Sequence, residues 1–357
     1  MNSEERTVNS ESDQKPETRN QEPEKRTAFR TADPQYYIRG VLERNRRILA
    51  KTITLIESSH PSHQDLARSI LDGLLPDTGK AVRLGVTGVP GVGKSTFVES
   101  LGMMLVKKGH RLAVLAVDPS SRRSGGSIMA DKMRMEKLSV EENAFIRPSP
   151  SGSTLGGVAR KTREAMLICE AAGFDVIIVE TVGVGQSETE VSSMVDFFLV
   201  LMLAGAGDAI QGIKKGVLEL ADAVAINKAD GDNIEKAKKA RREYEAALHL
   251  LIPSTPTWIP PVVTCSSSEM TGINELWSIV LDHRDKIVKS GELDINRKKQ
   301  SVNWMWSLVE EGLKDIFFSN SDVKRLLSKI TRDVEKGIKT PTVAACELLF
   351  FLDRNRK

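Results

Sequence analysis

The sequence predicts an α/β fold, in which a doubly wound and mostly parallel sheet carries helices on both faces. Short apolar runs alternate with helical stretches, which is typical of strands that are buried on both faces. A glycine-rich loop lies between the first of these runs and a helix. After residue 291 the sequence becomes charged and helical. We therefore expect a disordered tail over residues 1–33, a helical segment over 34–80, the sheet domain over 81–290 and a helical extension over 291–357.

The N-terminal part divides into a polar tail and two predicted helices. Residues 1–33 hold eight acidic and six basic residues but few apolar ones, so they cannot bury enough surface to become ordered. Apolar residues recur at helical spacing over 34–56, and a second helix is predicted over 64–75. Both helices precede the sheet domain.

The sheet domain is predicted from short apolar runs that lie between helical stretches. Such runs are typical of strands covered on both faces in a parallel sheet. A last helix is predicted over 271–289, where the segment TGINEL opens it. The predicted strands cover residues 82–87, 112–117, 176–179, 197–203, 223–226 and 261–264.

Composition argues against several classes of protein. A net charge of +3 among 51 basic and 48 acidic residues gives no strong attraction to nucleic acid or to an anionic membrane. Three widely spaced cysteines favour a reducing compartment over a disulfide framework or a zinc site. The N-terminus lacks the apolar run of a signal peptide, its acidic residues argue against a mitochondrial presequence, and no stretch is apolar enough to span a bilayer. We therefore expect a cytoplasmic protein.

Residues 88–95, GVPGVGKS, fit the phosphate-binding pattern G-x-x-x-x-G-K-[ST] at every fixed position. The loop lies between a predicted strand and a predicted helix over 94–108, where glycines and a helix N-terminus favour phosphate. Lys94 is expected to reach the β and γ phosphates, and the Ser95 hydroxyl is expected to bind Mg²⁺. The alternative is a glycine turn before an ordinary helix. The predicted nucleotide contacts are Gly88, Val89, Pro90, Gly91, Val92, Gly93, Lys94, Ser95 and Thr96.

The segment NKAD follows the predicted strand over 223–226 and matches N-K-x-D. The Asp230 carboxylate can accept hydrogen bonds from the ring N–H and the exocyclic amine of guanine, whereas adenine presents an acceptor there. Ligands bind at the carboxyl edge of such sheets, so this position favours GTP over ATP. The alternative is a polar loop without a ligand. The predicted base contacts are Asn227, Lys228 and Asp230, with backbone amides of Ser266, Ser267 and Ser268 closing over the base.

Carboxylates at the ends of predicted strands indicate a magnesium site. Glu180 ends a buried strand and Gly183 follows three residues later, a pattern that senses γ phosphate and Mg²⁺ in nucleotide-binding proteins. Asp118 ends another strand at the same edge, and Asp131 lies beyond the GGS segment. Mg²⁺ prefers oxygen ligands, so Ser95 and these three carboxylates are the predicted metal residues. Asp131 alone could instead cap a helix.

Besides the two nucleotide motifs, the chain contains several further short segments, and the full set is GVPGVGKST, VLAVDPSS, GGSI, ETVGVGQSE, GDAIQGIKKG and NKAD. Together these six segments resemble the MeaB/ArgK family, the GTPase chaperones of adenosylcobalamin-dependent methylmalonyl-CoA mutase. The resemblance extends from about Pro34 to the C-terminus. It implies that Asp118, Asp131 and Glu180 belong to the magnesium and switch machinery, that residues 206–215 form a further switch loop facing the partner, and that C-terminal helices build a homodimer.

Transfer of the γ phosphate to water is the expected reaction, with positioning and charge supplied by the protein and by Mg²⁺. Val184, the residue after Gly183, has no group that could orient a water molecule. We expect slow hydrolysis alone and stimulation by the partner. Lys214 and Lys215 could instead be a solvated helix start. The predicted catalytic residues are Lys94, Glu180, Gln186, Lys214 and Lys215.

Four positions depart from the family pattern, and they bear on which mutase is the partner and on how GTP hydrolysis is coupled to that partner. Ala130, Met133 and Ala209 replace other expected residue types, and an arginine expected near Gly152 is missing. A related acyl-CoA mutase is therefore an alternative client. Two other functions also stay open, an ATP-dependent kinase that energises amino-acid transport and a nickel-insertion GTPase of similar fold. The NKAD motif favours GTP over ATP and therefore argues against the kinase. A nickel-insertion protein would need a Cys/His cluster.

The extension carries an apolar helix face that must pack against something. Its members recur at i, i+3 and i+4 spacing and are too many for an isolated helix. Packing on the sheet domain of the same chain and packing on a second copy are both possible. The face comprises Val302, Met305, Trp306, Val309, Leu313, Ile316 and Phe317.

Overall fold

The computed structural model describes the sheet domain, the helices before it and the helices after it. The described residues are 33–58, 60–117, 135–148, 155–181, 187–205, 215–250 and 257–354. The expected tail, apart from residue 33, therefore lies outside them. Within these ranges, no helix has the length and apolar character needed to cross a membrane.

A parallel sheet forms the centre of the molecule and confirms the predicted fold class. The strand order is β3-β2-β4-β1-β5-β6-β7, and every pair of neighbours is parallel. The chain leaves β1 toward one edge and leaves β4 toward the other, so the ligand crevice is expected above these two strands. The strands are β1 (Val82–Gly88), β2 (Leu112–Val117), β3 (Ala144–Pro148), β4 (Val176–Thr181), β5 (Phe197–Leu203), β6 (Ala223–Asn227) and β7 (Val262–Thr264).

β3 is an edge strand that sequence analysis missed. Its sequence, AFIRP, breaks the apolar run with Arg147 and ends in proline. Both are tolerated because β3 pairs only with β2 and Pro148 lies at the end of the strand. Arg147 extends toward the N-terminal helices, where it pairs with Glu57 and bonds Thr54.

Helices cover both faces of the sheet and build two apolar clusters. One cluster lies under α4 (Lys94–Lys107), α5 (Glu136–Ser139) and α10 (Ile273–Lys289). The other lies under the N-terminal helices together with α6 (Leu155–Ala171), α7 (Ser187–Ser192), α8 (Lys215–Glu219) and α9 (Ile234–Leu248). The sheet is thus buried on both sides, as the apolar runs predict.

The N-terminal segment contains three helices, so the single helix predicted over 34–56 is wrong. These helices are α1 (Pro34–Leu42), α2 (Arg46–Glu57) and α3 (Pro61–Leu74). Arg44 has a left-handed backbone with φ of 63°, which ends α1. Asn45 then caps α2 by accepting hydrogen bonds from Arg47 N and Ile48 N. Helical spacing continues through the break, which is why the apolar pattern did not reveal it.

The C-terminal extension consists of α11 (Glu292–Ser319), α12 (Ser321–Glu335) and α13 (Pro341–Arg354). Gly291 separates α10 from α11 and has φ of 78°, a conformation that favours glycine. The apolar face of α11 does not pack on the sheet domain of its own chain, because Trp306 is 57% exposed and Ile316 is 60% exposed. Val302, Met305, Val309 and Leu313 are also exposed, whereas Phe317, the last predicted member of the face, is half-buried.

Candidate functional site

The phosphate loop begins where β1 ends in Gly88. A side chain there would place its Cβ 2.3 Å from Leu201 O on β5, so only glycine fits. Gly91 and Gly93 have φ of 77° and 91°, which L-residues rarely adopt. α4 starts immediately afterwards, with Phe97 N bonded to Gly93 O. The loop therefore delivers the chain to a helix N-terminus, whose first N–H groups are available to phosphate.

Lys94 lies across the loop. Its Nζ donates to Gly88 O at 2.9 Å and to Val89 O at 3.3 Å, and the residue is 9% exposed. The ammonium group is therefore held on the concave side of the loop. Val89, Pro90 and Val92 complete the loop, and Thr96 lies in the first turn of α4.

Ser95 and Glu180 meet above the centre of the sheet. Ser95 Oγ donates to Glu180 Oε1 at 2.9 Å, and register pairs Glu180 on β4 with Val86 on β1. This hydroxyl and carboxylate are hard oxygen donors of the kind that Mg²⁺ prefers, so the residues fit the ion. In the described part of the chain, no group of three or more His, Cys, Asp or Glu could hold a metal. Asp118 and Asp131, the other two predicted metal residues, lie outside the described part of the chain.

One residue pair near this place was missed by sequence analysis. Thr181 Oγ1 donates to Thr87 Oγ1 at 2.7 Å, and both residues are 1% exposed. The bond ties the ends of β1 and β4 directly beneath the phosphate loop. Threonine at matching ends of two apolar runs is the signal that could have indicated it.

Asn227 joins the phosphate loop to the loop that follows β7. Its Nδ2 donates to Val92 O at 2.9 Å, while its Oδ1 accepts from Ser267 N at 3.2 Å and Ser267 Oγ at 2.9 Å. The Cys265 thiol also donates to Oδ1, at 3.6 Å, and burial raises its pKa to about 12, so it remains protonated. The structure therefore places the Asn227 amide between two protein loops, a role that N-K-x-D spacing alone did not indicate.

Asp230 is oriented by two serines from the predicted base-closing segment. Its Oδ2 accepts from Ser266 Oγ at 2.5 Å and from Ser268 Oγ at 3.1 Å. Ser267 O accepts from Ser100 Oγ of α4 at 2.7 Å, which fixes this segment to the helix of the phosphate loop. Lys228, which is exposed, has φ of 58° and turns the chain between Asn227 and Asp230. The two predicted nucleotide motifs therefore lie together at the carboxyl edge of the sheet.

Several predicted residues lie outside the described part of the chain. Lys215 is the first residue of α8, and its side chain is not described. The others are the metal candidates Asp118 and Asp131, the catalytic candidates Gln186 and Lys214, and the departures at Ala130, Met133, Gly152 and Ala209.

Comparison with known proteins gives one family and close relatives. A family model described as methylmalonyl Co-A mutase-associated GTPase MeaB matches residues 49–322. The GTPase ArgK of Escherichia coli is 48% identical over 315 residues, which span 88% of this chain and 95% of ArgK. The mouse protein named methylmalonic aciduria type A homolog, mitochondrial, is 44% identical over 320 residues, which span 87% of this chain and 77% of the mouse protein.

A solved structure extends the similarity to three dimensions. It is described as a LAO/AO transport system kinase and superposes with a TM-score of 0.73 at 43% identity. The match covers 90% of this chain and 97% of that one. The similarity therefore includes the sheet domain and most of the helices around it.

Proposed function

This chain belongs to the MeaB family of GTPases, and we propose that it couples GTP hydrolysis to the loading of cobalamin into methylmalonyl-CoA mutase or a related acyl-CoA mutase, and protects or reactivates that enzyme. Hydrolysis of GTP itself follows from the family. The mutase is supported by the description of the family and by the name of the mouse relative.

The observation that carries the nucleotide part of the proposal is the placement of Asp230. Two serine hydroxyls bond one carboxylate oxygen and thereby orient the group at the carboxyl edge of the sheet. A carboxylate in this place complements the two adjacent donors of guanine and opposes adenine. Because Asn227 connects this region to the phosphate loop, base recognition and phosphate binding share one rigid frame.

In the proposed mechanism, Lys94 binds the β and γ phosphates, and Ser95 and Glu180 hold Mg²⁺. An ion held by Ser95 and Glu180 would supply positive charge that offsets the negative charge developing on the phosphates during transfer. Gln186, Lys214 or Lys215 would orient the attacking water or add a cation, because Val184 has no suitable group. An added cation can raise the rate by about 10³ to 10⁵, so the partner is expected to stimulate a slow intrinsic reaction.

A homodimer is proposed for the apolar face of α11. Large exposed apolar patches usually mark an interface, and this face includes two large exposed side chains, Trp306 at 57% and Ile316 at 60%. A second copy of the chain is the proposed occupant, by resemblance to the family.

The kinase function has one observation in its favour, the description of the similar solved structure. It requires ATP, which the Asp230 carboxylate opposes. Competition of ATP and GTP against a fluorescent nucleotide separates the two functions, because a kinase of this kind would bind ATP at least as well. The nickel alternative lacks a candidate cluster within the described ranges. A cytoplasmic location stays a prediction.

The experiment that tests the proposed function is GTP hydrolysis by the purified protein with and without purified mutase. We expect slow turnover alone and faster turnover with methylmalonyl-CoA mutase or a related acyl-CoA mutase, each assayed with and without adenosylcobalamin. Lys94→Ala is the control for contaminating GTPase. Fast turnover without any partner, or no response to either mutase, would contradict the proposal.

A further inference from the structure

We propose that Arg163 couples the nucleotide site to the C-terminal helices by tying α7 to α11. Arg163 lies on α6 and is 8% exposed. Its Nη2 donates to Ser193 O at 3.0 Å and to Ser193 Oγ at 2.6 Å, immediately after α7 ends. Its Nη1 donates to Gln300 O of α11 at 3.5 Å, and the guanidinium lies 5.8 Å from the centre of the Trp304 ring. One side chain thus contacts both elements.

α11 also contacts the connection between α7 and β5 directly. Gln300 Nε2 donates to Val195 O at 2.9 Å. Arg297 donates to both oxygens of Asp196, at 2.8 and 2.6 Å. The first turns of the C-terminal extension are therefore bonded directly to two consecutive residues of this connection, Val195 and Asp196, and they are expected to move with it.

The chemistry of Arg163 favours coupling over simple core packing. Burial lowers its pKa, which means that the charged form is held there at an energetic cost. Among the described residues, no carboxylate lies within 4.0 Å of it, so neutral acceptors and an aromatic ring take the place of an ion pair. Arg163 provides directional hydrogen bonds to two separate elements, to Ser193 at the end of α7 and to Gln300 of α11.

The proposed coupling path begins at Ser95 and Glu180, the proposed metal-binding pair. α7 begins at Ser187, seven residues after Glu180, whose carboxylate accepts from Ser95. β4 is fixed between β1 and β2, so it has little freedom to absorb a change at Glu180. Val191 and Val195 pack on β1 at Gly85, where an added Cβ would lie 3.1 and 3.0 Å from them. A rearrangement at Glu180 is therefore expected to reach α7, and through Arg163 to reach α11.

The consequence is that the apolar face of α11 responds to the bound nucleotide. This inference goes beyond the proposed mutase function and does not depend on it, because both elements belong to one chain. Coupling between two sites is reciprocal, so occupation of the α11 face would also change nucleotide affinity.

Hydrogen–deuterium exchange of the isolated full chain tests the inference. Peptides covering residues 297–306 are compared with GDP bound and with a non-hydrolysable GTP analogue bound. We expect exchange rates that differ by about fivefold or more in the wild type, the low end of ordinary coupling. Arg163→Met should remove this difference while GDP binding persists, because neither nucleotide motif is touched.

Two further variants keep the result interpretable. Arg160→Met makes the same change one turn earlier on α6, where the side chain pairs with Glu164, and should retain the difference. Gln300→Ala removes one bond from α11 and should reduce the difference, which provides a reading if Arg163→Met does not fold. Equal exchange with both nucleotides in the wild type, or an undiminished difference in a folded Arg163→Met variant, would overturn the proposal. If Arg163→Met does not fold, an undiminished difference in Gln300→Ala would overturn it.

Discussion

Asn227 Nδ2 donates a 2.9 Å hydrogen bond to Val92 O, so the NKAD segment and the glycine-rich loop are held together by one buried amide. The same side chain accepts two bonds from Ser267. These contacts use polar atoms that nucleotide could otherwise bind. The geometry therefore gives Asn227 a positioning role between the two motifs.

Asn227→Ala should weaken both GTP binding and the fold. It removes the bonds that the Asn227 side chain makes with Val92 O and with the N–H and hydroxyl of Ser267 in a buried place, which costs about 1–3 kcal/mol for each group left unsatisfied. We expect a lower midpoint of urea unfolding and at least tenfold weaker GTP binding. Asn233→Ala is the matched control, since among the described residues its side-chain amide bonds Lys228 O, on the exposed side of the same loop. Equal behaviour of the two variants would contradict the role given to Asn227.

Glu180→Gln should raise the Mg²⁺ concentration needed for GTP hydrolysis. The amide can still accept from Ser95 Oγ and keeps the shape of the side chain, but it lacks the negative charge that attracts the ion. Titration of hydrolysis with Mg²⁺ should show an apparent affinity lower by tenfold or more. Glu269→Gln, an exposed change beside the base-closing serines, should leave the titration unchanged. Overlapping titrations for wild type and Glu180→Gln would remove Glu180 from the metal site.

Trp306→Glu should convert the expected dimer into a monomer. The substitution places a charge in the middle of the exposed apolar face of α11, where a second copy would have to bury it. Light scattering at increasing concentration measures the mass. Val140→Glu is the control, because Val140 is 81% exposed but lies far from the extension in the chain. A wild type that remains monomeric at all concentrations would be evidence against the dimer.

Most of the sheet could be predicted from the sequence because its strands are buried on both faces and so form continuous apolar runs. β3 could not, since an edge strand tolerates Arg147 and Pro148. The break at Arg44 was also hidden, because the apolar spacing of α1 continues into α2 without a shift. Patterns of spacing report which face is buried, and they do not report where a helix changes direction.

The candidate site was predictable where function needs a fixed spacing. Glycines near the phosphates and a carboxylate near the base must occur at set distances along the chain, so GVPGVGKS and NKAD could be found. Contacts between separate segments have no such spacing. The bonds from Asn227 to Val92, from Ser100 to Ser267 and from Arg163 to Gln300 join residues far apart in sequence and became evident only in the structure.

Asp230→Asn should exchange the preference for GTP for a preference for XTP. The new amide presents a donor to a donor of guanine, which loses a charge-assisted bond of about 1.5–3 kcal/mol and leaves a buried donor unpaired. GTP affinity should fall by on the order of 10² or more. Xanthine has a carbonyl in place of the exocyclic amine and can accept from the new amide. Competition of GTP, XTP and ATP against a fluorescent analogue gives the order, and an unchanged order would mean that Asp230 does not contact the base.

Asp222 and His283 are buried at the opposite end of the sheet, and their pKa values are shifted in opposite directions. Burial, aided by the charge of Asp196, raises the pKa of Asp222 to about 7. Burial lowers the pKa of His283, whose Nε2 lies 3.9 Å from Asp222 Oδ1, to about 4. The Asp222 contribution to stability is therefore present at low pH and lost as pH rises through about 7. The His283 contribution is present above about pH 6.5 and lost as pH falls toward 4.

Asp222→Asn should remove the pH dependence of stability that Asp222 causes and leave the pH dependence that His283 causes. The amide oxygen can still accept from Phe198 N, which Asp222 Oδ2 now does at 2.8 Å, so the backbone stays satisfied. The free energy of unfolding of the variant, relative to wild type, should rise by on the order of 1–3 kcal/mol between pH 5 and pH 8. Urea unfolding at pH 5, 6.5 and 8 measures it. Asp285→Asn, an exposed change on the same helix as His283, should follow the wild type at every pH. If the Asp222→Asn curve also runs parallel to wild type, Asp222 has an ordinary pKa in the folded protein.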